Sequence, residues 1–283
     1  MTGASTTVGV VGAGTMGRGI AQSCANAGCT ILLYDIDEDH CKAAIKKIGS
    51  DLSALVDKEK ISQSEADAIL SRIHPTNQLN ELRCDFIIEA VVEDLQVKKK
   101  LFAELEKYCA VSSLFLSNTS SIEISAIATA LKHRQRFAGL HFFNPAPVMK
   151  LVEVVKGNET SSDTVEKVKE FASFIGKTAV VAQDSPGFIV NRVARLYYVQ
   201  ALNILEQEAA SPEVVDTLMR NAGFRMGPFE LMDLIGIDIN LSVTRSIYQA
   251  FGHERFRPGF IQQQKVDAGL LGRKSGKGFY DYF

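Results

Sequence analysis

The sequence has no excess of positive charge and no long apolar run, and each absence excludes a class of protein. Its 31 Lys and Arg residues are outnumbered slightly by 33 Asp and Glu residues, which gives a formal net charge of −2. Nucleic-acid-binding domains usually carry a basic surface, so we predict no nucleic-acid partner. No hydrophobic run approaches the roughly 20 residues of a membrane-spanning helix, so we predict no membrane partner.

The cysteines are few, scattered and never spaced as CxxC. They are Cys24, Cys29, Cys41, Cys84 and Cys109. An odd number at these spacings favours neither a disulfide framework nor a zinc site, and we expect no bound metal. The N-terminus lacks a basic segment followed by an apolar core, so the sequence predicts no signal peptide and a cytoplasmic protein with reduced thiols.

The start of the chain has the pattern of a dinucleotide-binding unit. A β-branched run leads into G-x-G-x-x-G, a helix-like segment follows, and a second apolar run ends in Asp35. Gly12 allows a tight turn, Gly14 lets the backbone approach a pyrophosphate, and Gly17 lets the helix pack closely on the strand. Asp35 would accept hydrogen bonds from the adenosine ribose and repel a 2′-phosphate, so NAD is predicted over NADP. The alternative is a glycine turn followed by a surface aspartate.

Strands and helices alternate over residues 1–185. Further apolar runs predict strands at 84–89, 114–117, 136–141, 151–156 and 178–182. The pattern is typical of an α/β fold with a Rossmann-type, doubly wound, mostly parallel sheet. Residues 37–72 are polar with apolar residues at helical spacing, so we expect a helical hairpin insertion that projects from the sheet, its second helix capped by Ser64.

Strand signals vanish after the Asp-Ser-Pro-Gly sequence that ends near residue 187. Helices are predicted at about 188–208, 212–222 and 228–251. Residues 186–283 are therefore expected to form an all-α domain that completes the substrate site. From this architecture we also expect a homodimer formed through the helical domain.

Polar groups that suit catalysis cluster around two predicted strands. His141 ends one strand beside a Phe-Phe-Asn-Pro loop, and Glu153 lies on the alternating strand that follows. An imidazole titrates near neutral pH, and a carboxylate on its other nitrogen would fix the tautomer. Taken singly, His141 could be structural and Glu153 a surface acid. Asn191 could begin a helix, and Ser120 could cap one in a capping box.

Seven strings resemble the L-3-hydroxyacyl-CoA dehydrogenase family, in particular its short bacterial 3-hydroxybutyryl-CoA dehydrogenases. They are VGAGTMGRGIAQ at 11–22, IIEAVVED at 87–94, SNTSS at 117–121, GLHFFNPAPVMKLVEVV at 139–155, DSPGFIVNR at 184–192, GPFELMDLIGID at 227–238 and GRKSGKGFYDY at 272–282. The resemblance covers essentially the whole chain, and we find no departure at a position that the family uses for chemistry.

The resemblance implies roles for individual residues. His141 is implied as the catalytic base with Glu153 as its partner, Ser120 and Asn191 as polar contacts to the substrate, and Lys58 as a contact to the CoA phosphates. The implied NAD contacts are Gly12, Gly14, Thr15, Met16, Gly17, Asp35, Glu93, Lys98, Ser120, Asn144 and Lys274.

The implied reaction is NAD-dependent oxidation of short-chain (S)-3-hydroxyacyl-CoA, with 3-hydroxybutyryl-CoA as the expected substrate and acetoacetyl-CoA reduction as the reverse reaction. One alternative is a sister dehydrogenase that acts on 3-hydroxyadipyl-CoA or a related 3-hydroxy acid. Another is a non-catalytic NAD(H)-binding protein, although such a protein would have no need to keep His141, Glu153 and Asn191 together.

Overall fold

The computed structural model describes residues 6–283, and the chain divides into two compact units, one ending at Ser185 and the other running from Pro186 to Phe283. The strands of the first unit are β1 (Thr7–Val11), β2 (Thr30–Tyr34), β3 (Ile73–Thr76), β4 (Phe86–Glu89), β5 (Leu114–Ser117), β6 (Phe137–Phe142), β7 (Leu151–Lys156) and β8 (Thr178–Gln183). Its helices are α1 (Thr15–Asn26), α2 (Glu38–Val56), α3 (Gln63–Leu70), α4 (Leu95–Leu105), α5 (Ile124–Ala128) and α6 (Ser162–Phe174), with 3₁₀ turns at Leu79–Glu81 and Arg134–Arg136.

The strands form one sheet in the order β3-β2-β1-β4-β5-β6-β7-β8. Neighbouring strands are parallel except β6 and β7, which are antiparallel. Every residue of β4, β5 and β6 is buried, as expected for central strands covered on both faces. The predicted doubly wound, mostly parallel sheet is confirmed, and its strand ends gather the candidate site at one edge.

The segment predicted as a projecting hairpin contains α2 and α3, which pack against each other; α2 also contacts β2 and β3, and both helices contact α1. Ile48 and Leu52 of α2 and Ala66 of α3 belong to the same hydrophobic cluster as Ile31 of β2. The predicted helical hairpin is confirmed, and its apolar residues at helical spacing form part of the buried core. Edge strand β3 follows α3 and was missed, since its short sequence, IHPT, has no strong apolar pattern.

The cap of α3 also differs from the prediction. Ser62, rather than Ser64, is the N-cap, and its hydroxyl accepts the backbone N–H of Glu65 at 3.2 Å. The Glu65 carboxylate accepts the N–H of Ser62 at 2.8 Å. This reciprocal arrangement is a capping box, which satisfies two backbone donors that the first turn leaves without helical partners.

The second unit is helical, as predicted. Its helices are α7 (Val190–Glu206), α8 (Pro212–Asn221), α9 (Pro228–Ile235), α10 (Ile237–Phe251) and α11 (Phe260–Asp267), with 3₁₀ turns at Glu254–Phe256 and Arg273–Ser275. The single helix expected at 228–251 is two helices, because Gly236 adopts a φ of +103° that a helix cannot continue through. Leu202, Phe229 and Met232 form the centre of its own core.

Two buried aspartates hold the end of the chain in the second unit. Asp233 accepts the backbone N–H groups of Phe279 and Tyr280 at 2.9 and 3.0 Å. Asp216 accepts the hydroxyl of Tyr280 at 2.8 Å and the N–H of Phe229 at 3.0 Å.

Within residues 6–283, no helix has both the length and the apolar character needed to cross a bilayer.

Candidate active site

His141 and Glu153 form a buried pair on neighbouring strands. The antiparallel register of β6 and β7 places the two residues directly opposite each other. Nδ1 of His141 lies 2.7 Å from Oε2 of Glu153, and the side chains are only 7% and 1% exposed. When Nδ1–H donates to this carboxylate, the neutral imidazole carries its lone pair on Nε2. This arrangement would suit an oriented general base.

The turn that follows His141 is held by a lysine that sequence reasoning missed. Lys177 Nζ donates to the carbonyl oxygens of Ala146 and Met149 at 2.6 and 2.9 Å. Burial lowers the pKa of this ammonium. The turn also carries Asn144, which is exposed. Lys177 lies just before edge strand β8, and no local pattern ties it to a turn about 30 positions away.

Ser120 lies in a polar loop after β5 that is gathered around one carboxylate. Oε1 of Glu93 accepts the N–H groups of Ser120 and Ser121, both at 3.1 Å. The same oxygen accepts the hydroxyls of Thr119 at 2.6 Å and Ser121 at 2.9 Å. Burial raises the pKa of Glu93, but nearby Lys98 and these hydroxyl donors outweigh it, so the pKa lies below its usual value. Glu93 is therefore an anion at neutral pH that orders the loop.

The alternative role of Ser120 as a helix N-cap is wrong. Helix α5 begins at Ile124, and its N-cap residue is Glu123, whose side chain makes no capping bond. Asp184 supplies the cap instead, since its carboxylate accepts the N–H groups of Ile124 and Ser125 at 2.8 and 2.7 Å. A residue about 60 positions along the chain thus replaces the predicted local cap.

Lys98 lies in an ion-pair cluster rather than on the surface. Its side chain is 1% exposed, and Nζ lies 2.5 Å from Oε1 of Glu89 and 3.2 Å from Oε2 of Glu93. Of the two glutamates, only Glu93 was predicted as a site residue. Glu89 is fully buried at the end of β4, a position where an apolar residue would be expected.

The glycine loop has the geometry that the dinucleotide motif requires. Gly12 has a φ of +103°, and a Cβ there would meet the carbonyl oxygen of Ala90 at 2.6 Å. A Cβ at Gly17 would lie 1.7 Å from the carbonyl oxygen of Gly12. A Cβ at Gly14 would meet no atom of residues 6–283 within 4 Å. Packing therefore explains two of the glycines, whereas the open space at Gly14 fits a cofactor phosphate approaching the backbone. Thr15 and Met16 begin α1 beside it.

Asp35 is joined to the same loop. Its Oδ2 accepts the N–H of Ala13 at 2.8 Å, and Oδ1 accepts the N–H of Asp37 at 3.2 Å. The imidazole of His40 lies 3.4 Å from Oδ1. The acid that ends β2 is thus fixed beside the glycine turn, which is where a ribose-binding carboxylate is needed.

The remaining predicted site residues lie at three separate places. In the first unit, Lys58 is exposed in the turn after α2. In the second unit, Asn191 lies in the first turn of α7. Also in the second unit, Nζ of Lys274 lies 2.6 Å from Oδ1 of Asp238, so an ion pair already holds this ammonium.

Nearly the whole chain matches known proteins of one family. Residues 7–185 match the family model described as 3-hydroxyacyl-CoA dehydrogenase, NAD binding domain, and residues 187–282 match the C-terminal domain of the same family. The chain is similar to the 3-hydroxyadipyl-CoA dehydrogenase of Escherichia coli, with 49% identity over 98% of this chain and 59% of that protein. The chain thus spans about three fifths of the length of this relative.

Two relatives match along their full length or nearly so. A probable 3-hydroxybutyryl-CoA dehydrogenase of Bacillus subtilis is 39% identical over 96% of each chain. The crystal structure of an (S)-3-hydroxybutyryl-CoA dehydrogenase from Ralstonia eutropha superposes with a TM-score of 0.94 and is 37% identical, covering 99% of this chain and all of that one. The match to an NAD binding domain confirms NAD as the cofactor.

Proposed function

Because the chain belongs to the 3-hydroxyacyl-CoA dehydrogenase family, we propose that it oxidises short-chain (S)-3-hydroxyacyl-CoA esters with NAD. The preferred substrate in this proposal is 3-hydroxybutyryl-CoA, and the reverse reaction reduces acetoacetyl-CoA. The product of oxidation is the 3-oxoacyl-CoA. The observation that carries the proposal is the 2.7 Å contact between His141 and Glu153.

In this mechanism His141 is the general acid and base. During oxidation Nε2 accepts the proton of the substrate hydroxyl, and Glu153 stabilises the imidazolium that forms. During reduction the same nitrogen returns the proton to the new alkoxide. Burial of the pair excludes water and strengthens this electrostatic support. Bound NAD supplies the hydride acceptor, while the protein supplies position and charge.

The cofactor would be held by the glycine loop and Asp35. The N–H groups at the start of α1 would face the pyrophosphate, since the first turn of a helix leaves its donors without helical partners. Asp35 would accept hydrogen bonds from the ribose hydroxyls. Glu93, Lys98, Asn144 and Lys274 remain proposed contacts, although Lys98 and Lys274 already have carboxylate partners.

Three polar side chains would contact the substrate. We assign Ser120 and Asn191 to hydrogen bonds with the substrate oxygens, and Lys58 to the CoA phosphates. Exposure of Lys58 suits a contact with a charged group that stays near solvent. Neutralising Lys58 should raise the KM for CoA esters and leave a CoA-free thioester analogue unaffected.

The first test is NADH oxidation by the purified protein with acetoacetyl-CoA, repeated with NADPH and with free acetoacetate. The proposal expects turnover only with NADH and the CoA ester. Turnover with NADPH alone would leave the chemistry standing but overturn the role of Asp35. A protein that binds NADH but reduces none of these substrates would refute the proposed substrate and favour a non-catalytic NAD(H)-binding role.

A second candidate substrate is 3-hydroxyadipyl-CoA. It is favoured by the 49% identity to an Escherichia coli protein named for that activity. The two substrates share the reacting carbon, so His141 and Glu153 would serve both, and only the acyl pocket would discriminate. The ratio of kcat/KM for 3-hydroxyadipyl-CoA and 3-hydroxybutyryl-CoA, measured side by side, identifies the preferred acyl chain.

We also propose a cytoplasmic homodimer formed through the helical unit. This unit exposes large apolar side chains, including Leu218 at 62% and Phe260 at 67%. Large exposed apolar patches on a protein often mark a surface that binds another protein. Light scattering coupled to gel filtration should give twice the mass of 31.0 kDa. A monomeric mass at micromolar concentration would rule out the dimer.

A further inference from the structure

Glu89 connects three segments at the carboxyl edge of the sheet. It ends β4 and is 0% exposed. Its Oε2 accepts the hydroxyl of Ser117, at the end of β5, at 2.6 Å. Its Oε1 accepts the N–H of Val91 at 2.8 Å and the ammonium of Lys98, from α4, at 2.5 Å. The Glu89 carboxylate thus contacts the end of β5, the loop after β4, and helix α4.

The chain of contacts continues from Lys98 to the loop that carries Ser120. The Lys98 ammonium lies 3.2 Å from Oε2 of Glu93, so a single cation is shared by two carboxylates. The other oxygen of Glu93 accepts the N–H groups of Ser120 and Ser121. Three side chains, those of Glu89, Lys98 and Glu93, therefore run in series from the sheet interior to the backbone N–H of Ser120.

Stability alone does not account for this cluster. Removing carboxylates and an ammonium from water is unfavourable, and apolar residues of similar size often stabilise such a site equally well. Charged groups with strict geometry, in contrast, hold their partners in one arrangement. The contacts at the outer end of the series are those that orient the 118–121 loop.

We propose that Glu89 is a positioning residue for the active site, which acts through Lys98 and Glu93 to fix the loop that carries Ser120. The consequence for turnover rests on the substrate contact proposed for Ser120, whereas the consequence for the loop does not. With glutamine at position 89, Lys98 keeps only one full carboxylate partner and is drawn toward Glu93. Glu93 then loses its alignment with the N–H groups of Ser120 and Ser121.

The direct test is hydrogen–deuterium exchange of peptides covering residues 117–122 in Glu89→Gln. Loss of charge-assisted alignment should speed exchange of the Ser120 and Ser121 amides by about tenfold. Glu106→Gln is the matched control, because Glu106 also forms a nearly buried ion pair, with Arg136 at 3.1 Å, in the same unit. That variant should leave the exchange of residues 117–122 unchanged. Equal acceleration in both variants, or none in Glu89→Gln, would refute the positioning role.

Kinetics separate positioning from general destabilisation. In Glu89→Gln, kcat for acetoacetyl-CoA reduction at saturating NADH should fall about tenfold. The loss should be much smaller when Ser120→Ala is already present, since the two changes then affect one contact. Additive losses would contradict the proposal. A wild-type protein that lacks the reaction would refute the proposed function and leave the exchange experiment decisive for Glu89.

A second variant covers the case in which Glu89→Gln does not fold. The double change Glu89→Gln and Lys98→Met removes both buried charges and leaves no unpaired ammonium. It should fold and still show the faster exchange at residues 117–122. A folded double variant with wild-type exchange in that loop would overturn the proposal.

Discussion

His141 and Glu153 are direct partners across β6 and β7, with Nδ1 and Oε2 2.7 Å apart. Side chains of opposed residues in an antiparallel pair project from the same face of the sheet. The reversal of one strand in an otherwise parallel arrangement therefore builds the pair into rigid backbone. A site held by strands keeps its geometry more closely than one held by loops.

Replacing the imidazole tests the proposed base directly. His141→Gln should lower turnover with acetoacetyl-CoA by about 10²–10⁴-fold, the usual contribution of a positioned acid or base. Binding of NADH and the thermal unfolding temperature should change little. His74→Gln, at an exposed position of β3, is the control. Turnover near the wild-type value in His141→Gln would remove the histidine from the mechanism.

Two glycines of one motif should respond differently to alanine. Gly14→Ala should fold normally, because its φ of −65° suits alanine and the added Cβ meets no atom within 4 Å in the part of the chain that the structure describes. It should weaken NADH binding by about tenfold or more, since the methyl group occupies the approach of the pyrophosphate. Gly17→Ala should lower the unfolding temperature sharply, because its Cβ would lie 1.7 Å from a carbonyl oxygen. Unchanged NADH affinity in Gly14→Ala would place the cofactor elsewhere.

Asp35→Arg should weaken NADH binding and improve NADPH binding. The guanidinium would attract the 2′-phosphate that the carboxylate repels, while the N–H of Ala13 would lose its acceptor. Dissociation constants for both cofactors, measured by nicotinamide fluorescence, give the change in preference. Asp39→Arg makes the same change in charge at a side chain that is 87% exposed, and should leave the preference unaltered. If both variants change the preference between NADH and NADPH equally, the preference depends on the overall charge and not on Asp35.

Glu106 should contribute stability that depends on pH. Burial raises its pKa, but the N–H groups of Lys132 and His133 and the guanidinium of Arg136 outweigh burial and lower it. A carboxyl with a depressed pKa in the folded state stabilises the protein above its unfolded pKa of about 4, and loses this effect as pH falls through the folded value. Glu106→Gln should lower the free energy of unfolding by about 1–3 kcal/mol at pH 7. In urea titrations the difference in unfolding free energy between Glu106→Gln and wild type should narrow below about pH 4. If this difference is the same at every pH, the charge of Glu106 does not contribute to stability.

Local patterns predicted much of this molecule because they depend on near neighbours in the chain. Gly28, with a φ of +95°, follows α1 at a position where glycine commonly ends a helix. The glycine motif and the acid that ends β2 predicted NAD, and the matched NAD binding domain agrees. The wrong predictions concerned positions where the local sequence is compatible with two structures. Ser62 and Ser64 could each cap α3, and Gly236 could either continue or interrupt a helix.

By itself, the sequence determined the order and type of most elements, the glycine turn and the family to which the chain belongs. Periodicity and backbone preference act over a few residues, so they can be read without the fold. Only the tertiary structure decided that Asp184 caps α5, that Lys177 holds the turn after β6, and that Glu89 and Glu93 share Lys98. Such contacts join residues that are far apart in the sequence, and the sequence does not show that these residues lie close together in space. Their geometry arises only when the buried sheet brings those segments to one edge.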